Sequence, residues 1–305
     1  MRRSARGRFQ KKIFLWYRVH GRRDLPWRRT RDPYRIFVSE IMLQQTQVSR
    51  VLPKYREWVR VFPNWRALER APFPKVLRAW QGLGYNRRAR YLADSARIVV
   101  EKYSGLLPDS PDKLEKLPGI GRYSARAILC FAFGKCEPFI ETNIRRAIIH
   151  EFFPSNEKNI ADEKILEILE LLEPRTRKKD WYFALMDYGA GLKGYFPNPN
   201  QRGKSYVRQS RFLGSTRYVR AGIVKALLAK KRLSEQGLLG AFRSNPSIMP
   251  HIKSGKWKEI LAALEKDRIL VYNNSQWKIA ENEPRPLFPG KRKQKNRVIK
   301  SEVNI

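Results

Sequence analysis

The sequence predicts an all-α chain that ends in a small α+β module, and three observations predict it. Between residues 33 and 195, Pro and Gly recur at short intervals, and the segments between them carry apolar side chains near a 3.6-residue spacing. No alternating apolar–polar run competes over that stretch. A strand pattern appears only near the end, where Ile269-Leu270-Val271-Tyr272 and Gln276-Trp277-Lys278-Ile279 flank the turn sequence Asn273-Asn274-Ser275.

In chain order, residues 1–24 form a basic arm whose Phe9, Phe14, Leu15, Trp16 and Tyr17 predict a short helix over about 8–20, broken by Leu25-Pro26-Trp27. Residues 25–195 form the main helical domain. Its helices run from Val48 to Val61, Leu92 to Tyr103, Tyr123 to Phe133, Ile160 to Leu172 and Trp181 to Leu192. Residues 196–216, rich in Pro, Asn, Gly and Arg, read as a basic linker. Residues 217–282 form a second module: helices from Tyr218 to Lys230, from a Ser234 cap to Phe242, and from Trp257 to Lys266, then the hairpin. That order fits a winged helix or a generic small α+β domain. Residues 283–305 read as a basic, disordered tail.

The chain has 305 residues, enough for one large domain or two modest ones. Its 64 Lys and Arg outnumber 28 Asp and Glu, for a net charge of +36. Such an excess repels itself, and a polyanion relieves it; nucleic acid is the natural candidate, although a ribosomal or membrane-surface protein also carries such charge. Two cysteines, Cys130 and Cys136, do not make a disulfide framework. With only His20, His150 and His251 to assist them, no metal site is expected; two buried free thiols in a reducing cytosol are. No continuous apolar run of about 18 residues predicts a membrane span, and no apolar run follows the basic N-terminus as in a secretory signal.

Leu117-Pro118-Gly119-Ile120-Gly121-Arg122-Tyr123 lies between two helical patterns. The glycines allow a tight turn with positive φ and a close backbone approach. Free N–H groups opening the next helix then suit a phosphate. The alternative is a plain helix–helix turn. A second string, Ser39-Glu40-Ile41-Met42-Leu43-Gln44-Gln45-Thr46-Gln47, sets a carboxylate beside two adjacent glutamines on a helical face.

Taken in order, Leu25-Pro26-Trp27, the Ser39–Gln47 string with Val48, Gly82-Leu83-Gly84-Tyr85 and the 117–121 hairpin resemble the bacterial adenine DNA glycosylases, the MutY type of the helix-hairpin-helix superfamily. The resemblance covers roughly residues 25–195 and implies a helix-hairpin-helix glycosylase fold. It also implies a substrate, double-stranded DNA with a mispaired or damaged base, and a monomeric, cytoplasmic, nucleoid-associated protein. It puts Glu40 in the place of the general acid that protonates N7 of a flipped adenine, which demands a raised pKa. Gln45, beside Gln44, matches the wedge that fills the emptied stack, and Tyr85 the aromatic inserted beside the opposite base. Leu117, Gly119, Gly121 and Arg122 match the phosphate-binding hairpin.

At Ile140-Glu141-Thr142-Asn143 the family carries Asp where this chain has Glu141. That carboxylate stabilises positive charge on the sugar, as in glycosidases, with Asn143 as its helper. The alternative for Glu141 is a helix N-terminal carboxylate without chemistry. Tyr123 stands where strand-cleaving relatives carry a Schiff-base Lys, so strong lyase activity is not expected. Tyr also occurs there in thymine/uracil mismatch glycosylases, or serves only as a packed aromatic.

Two departures complete the pattern. The family's four cluster-binding cysteines are absent from residues 191–212, so no iron–sulfur cluster is expected. The loop around Lys204 and Arg208 is expected to contact phosphate instead. The module over 217–282 does not resemble the family's domain for reading oxidised guanine. The readings are therefore a monofunctional glycosylase removing adenine opposite 8-oxoguanine or guanine, a thymine/uracil mismatch glycosylase, or an inactive DNA-binding scaffold.

Overall fold

The computed structural model describes residues 3–282, and the tail expected over 283–305 lies outside the described residues. The helices run α1 (Arg3–His20), α2 (Pro33–Leu43), α3 (Val48–Val61), α4 (Trp65–Glu69), α5 (Phe73–Ala79), α6 (Arg87–Tyr103), α7 (Pro111–Leu114), α8 (Arg122–Phe133), α9 (Thr142–Phe152), α10 (Asp162–Leu172) and α11 (Lys178–Gly191). The C-terminal part adds α12 (Thr216–Lys230), β1 (Arg232–Leu233), α13 (Glu235–Gly240), α14 (Met249–Lys253), α15 (Lys256–Lys266), β2 (Leu270–Asn273) and β3 (Gln276–Ile279). No helix among the described residues is long and apolar enough to cross a membrane.

Two apolar cores divide the helices. One gathers Phe37, Trp58, Trp80 and Leu92, and continues without a break into Val219, Leu227 and Leu264 of the C-terminal module. The other joins Ile13, Phe139, Ile148, Trp181 and Tyr182. Burying each such side chain contributes about 1.5–3 kcal/mol. Helix α2 feeds both, with Phe37 and Ile41 in the first and Ile36 in the second. It starts sharply because Asp32 accepts from the N–H groups of Tyr34 and Arg35 and Pro33 supplies a preset φ.

The C-terminal strands form an antiparallel sheet in the order β1-β3-β2. Asn273 pairs with Gln276, and Asn274 and Ser275 both take positive φ (49° and 59°), the backbone of a two-residue hairpin turn. The sheet's third strand, β1, has no sequence signal, because two residues are too few to show a period. The module docks on the first core through Arg90 Nε to the Arg268 carbonyl (3.0 Å) and Asn282 Nδ2 to the Ala71 carbonyl (2.8 Å).

Other differences have local causes. Helix α1 begins at Arg3, ahead of the expected start, because its polar first turns lie against α10: the Arg6 guanidinium and the Gln10 amide take the carbonyls of Glu173 and Leu172. Cys130 and Cys136 are joined in a disulfide rather than held as free thiols. Gly134, at φ 71°, ends α8 in a left-handed cap and turns the chain back, so Cys136 returns beside the last turn. The expected linker is partly ordered: the Arg202 guanidinium bonds the carbonyls of Ile149, Phe153 and Pro154, and Ile160 and residues 202–204 exchange backbone hydrogen bonds.

Candidate functional site

Where the two cores meet lies a cavity of about 470 Å³. Helix α2 gives it Glu40, Leu43 and Gln44, α8 gives Tyr123 and Ser124, and the start of α9 gives Glu141 and Asn143. Glu40, 6% exposed, is the one acidic residue on a helix otherwise buried among apolar side chains. Burial and the nearby Glu141 carboxylate push its pKa up to about 8, against the opposing hydrogen bond from the Tyr123 hydroxyl, 3.4 Å from Oε2. It therefore holds its proton at neutral pH.

Glu141 is the N-cap of α9: its Oε2 accepts from the Asn143 N–H at 2.7 Å and its Oε1 from the Asn143 amide at 3.0 Å. Burial is the larger influence and raises its pKa as well, opposed by the N–H groups of Asn143 and Ile144, the Asn143 amide and Arg146, which favour its anion. Arg146 in turn donates to Asn143 Oδ1 (2.7 Å) and the Gly189 carbonyl (2.9 Å). The two carboxyls thus face one cavity in unlike surroundings: one is desolvated with a single weak donor, the other capped by several. The helix-cap reading of Glu141 holds, and the cap orients the carboxylate into the cavity.

The loop after α2, which lines the cavity, and the loop before α6 each carry a strained residue at the tip. Gln45 has φ 53° and is exposed; Tyr85 has φ 48° and is half-buried. Arg88, on the first turn of α6 and 5% exposed, ties the loops together. Its NH1 donates to the carbonyls of Ile41, Met42 and Gln44, its NH2 to Thr46 Oγ1 and the carbonyls of Leu83 and Gly84. One guanidinium thus caps the end of α2 and holds the turn before Tyr85, whose ring it also faces at 5.4 Å. Sequence reading does not single out Arg88. The available signal is a charged residue in line with the apolar face Ala89-Leu92-Ala93-Ala96 of α6.

The hairpin folds as its glycines require. Gly119 has φ 78°, and a Cβ there would strike the Tyr91 ring. Gly121 precedes α8, leaving that helix's first N–H groups open, and Arg122 is exposed. Leu117 is 2% exposed, so its side chain is a core anchor and not a DNA contact; only the backbone it fixes faces outward. Gln44 faces the cavity while its amide donates to the Gly119 carbonyl (3.1 Å), linking α2 to the hairpin. Lys204 and Arg208 are both exposed, and neither lines the cavity. The donors for a four-thiolate cluster do not fit: residues 191–212 hold no cysteine, and Cys130 and Cys136 are bonded to each other.

Residues 38–174 match the family described as HhH-GPD superfamily base excision DNA repair protein. An adenine DNA glycosylase of Buchnera aphidicola subsp. Baizongia pistaciae is 39% identical over 183 residues, 60% of this chain and 52% of that protein. The adenine DNA glycosylase of Mycobacterium tuberculosis is 35% identical over 247 residues, 71% of this chain and 77% of that protein. Among solved structures, a thermostable thymine-DNA glycosylase superposes with a TM-score of 0.55 at 29% identity, over 66% of this chain and 93% of that one. The chain spans about half the length of some curated relatives, 52% and 53% for two Buchnera proteins.

Proposed function

The chain belongs to the HhH-GPD superfamily of base excision DNA repair proteins, with the adenine DNA glycosylases among its relatives, and from that premise we propose that it hydrolyses the N-glycosidic bond of an adenine extruded from a mispair in double-stranded DNA. The observation that carries this reading is the unequal carboxyl pair: Glu40, protonated at neutral pH, faces Glu141, whose anion is capped by Asn143 and backed by Arg146. Two acids in unlike surroundings, one desolvated with a single weak donor and the other capped by several, suit glycosidic cleavage through a cationic sugar.

Glu40 gives its proton to N7 of the adenine. The bond between C1′ and N9 then breaks, and its electrons leave with the base. Positive charge on the sugar ring is met by the Glu141 carboxylate. Water adds to C1′ and its released proton returns to Glu40. Gln45 fills the space left in the stack, Tyr85 enters beside the opposite base, and the backbone at Gly119 and Gly121 holds a phosphate. No step in this scheme draws on an iron–sulfur cluster, and Tyr123, without an amine, forms no Schiff base. Tyr123 and the likeness to a thymine-DNA glycosylase favour one alternative, removal of a mispaired thymine or uracil.

A duplex panel separates the readings. Oligonucleotides with A opposite 8-oxoguanine, A opposite G, T opposite G and U opposite G are incubated with the protein and then treated with hot alkali. Cleavage at A alone is expected. Cleavage at T or U supports the alternative, and binding without cleavage leaves an inactive scaffold.

A further inference from the structure

Tyr85 is held from two sides. Arg88 faces its ring from one, and Arg217, on the first turn of α12, faces it at 5.3 Å and donates to its hydroxyl at 3.1 Å. Gln209, in the exposed stretch before α12, donates to the same hydroxyl. Arg217 is itself aimed by Ser210, whose carbonyl accepts from NH2 at 2.7 Å. Neighbouring arginines have an acidic partner: Arg87 and Arg220 share Asp267. Arg217 has no acidic partner within ion-pair distance among the described residues, and it borders a cavity of about 210 Å³ beside Tyr85.

We infer that Arg217 and Gln209 determine which base this protein accepts opposite the extruded nucleotide, favouring a guanine-type base that offers carbonyl acceptors. The inference rests on the proposed glycosylase function, in which Tyr85 enters the duplex beside that base. Whatever touches the tip of Tyr85 then enters with it. The guanidinium there offers N–H donors only, the Gln209 amide already presents its donor at the Tyr85 hydroxyl, and Arg217 has no acidic partner among the described residues. Paired guanidinium donors match the acceptor edge of guanine and oppose the amino groups of adenine and cytosine. The module carrying Arg217 thus supplies opposite-strand selection from a surface unlike the usual lesion-reading domain. Arg217 acts on recognition and not on bond breaking.

The test uses the full chain, duplexes carrying a tetrahydrofuran abasic analogue opposite guanine, 8-oxoguanine, adenine or cytosine, and an undamaged duplex of the same sequence, with affinity read by fluorescence anisotropy. The wild type is expected to prefer the two guanine-type partners by about 10-fold over cytosine and adenine. Arg217→Ala should reduce that ratio to about 2-fold, with Arg217→Lys and Gln209→Ala between, while circular dichroism shows an unchanged fold. If Arg217→Ala weakens all duplexes equally and leaves the ratio intact, the inference is overturned and the glycosylase reading stands. If the wild type binds abasic and undamaged duplexes alike, both fail. Because Arg217→Lys keeps the charge and loses the planar fork, it preserves the test even if the alanine variant does not fold.

Discussion

The Tyr123 hydroxyl, at the head of α8, approaches Glu40 Oε2 on α2 at 3.4 Å. One long hydrogen bond is too weak to offset full burial, and Glu40 keeps its proton. The unfolded chain releases that proton near pH 4.5 and the folded one near 8. Folding therefore takes up a proton between those values, and stability falls as pH rises through that window. At pH 7 the cost is on the order of 3 kcal/mol. Glu40→Gln should raise the denaturation midpoint at pH 7 and much less at pH 5, while single-turnover base release drops about 10²–10⁴-fold and duplex affinity is kept. A variant no more stable than wild type at pH 7 would contradict the buried-acid account.

Glu141 does two jobs that substitutions can divide. Glu141→Gln keeps an oxygen for the Asn143 N–H but sets an NH2 group against the Asn143 amide that donates to Oε1, so stability should fall by about 1 kcal/mol, while the missing charge should slow base release at least about 100-fold. Glu141→Asp retains both cap and charge and should keep or improve turnover. Glu141→Ala should abolish turnover and cost about 1 kcal/mol of stability together. Urea denaturation beside single-turnover kinetics checks all three, and abolished turnover in Glu141→Asp would mean that the site is built around the longer side chain.

Arg88 should behave as a positioning residue. Arg88→Ala strands several carbonyls at the end of α2 and before Tyr85, which should destabilise the fold by about 3 kcal/mol or more. Arg88→Lys keeps one charge but cannot span both loops. A 2-aminopurine reporter beside the target base should show weakened extrusion in Arg88→Lys, with affinity for undamaged duplex little changed. Unchanged extrusion would leave Arg88 with a folding role only.

Much of this is legible in the sequence, for identifiable reasons. Helices α3, α6, α8 and α10 follow an amphipathic period, and the hairpin needs glycine at Gly119, where the backbone is left-handed. Glu40 stands out because its neighbours are apolar. The Cys130–Cys136 bond is not legible, since it depends on how the chain returns after Gly134. Arg88 and Arg217 are hidden among 64 Lys and Arg, because their roles come from loops that meet only in three dimensions. Glu141 as a cap is legible; its convergence with Glu40 follows from family likeness and not from spacing.

Lys204 and Arg208 project from a loop anchored by Arg202 and backbone hydrogen bonds to Ile160. If they meet DNA phosphates, changing both to Ala should weaken binding of every duplex about equally. The slope of log affinity against log salt should become shallower by about 0.9 for each phosphate that is no longer neutralised. An unchanged slope would remove these residues from the DNA interface.

The most direct measurement is the pH dependence of single-turnover adenine release from a duplex with A opposite 8-oxoguanine. A rate that is flat around neutrality and falls about tenfold per pH unit above about 8, where Glu40 gives up its proton, is the predicted result. A rate that climbs through pH 8, or survives Glu40→Gln, would contradict it.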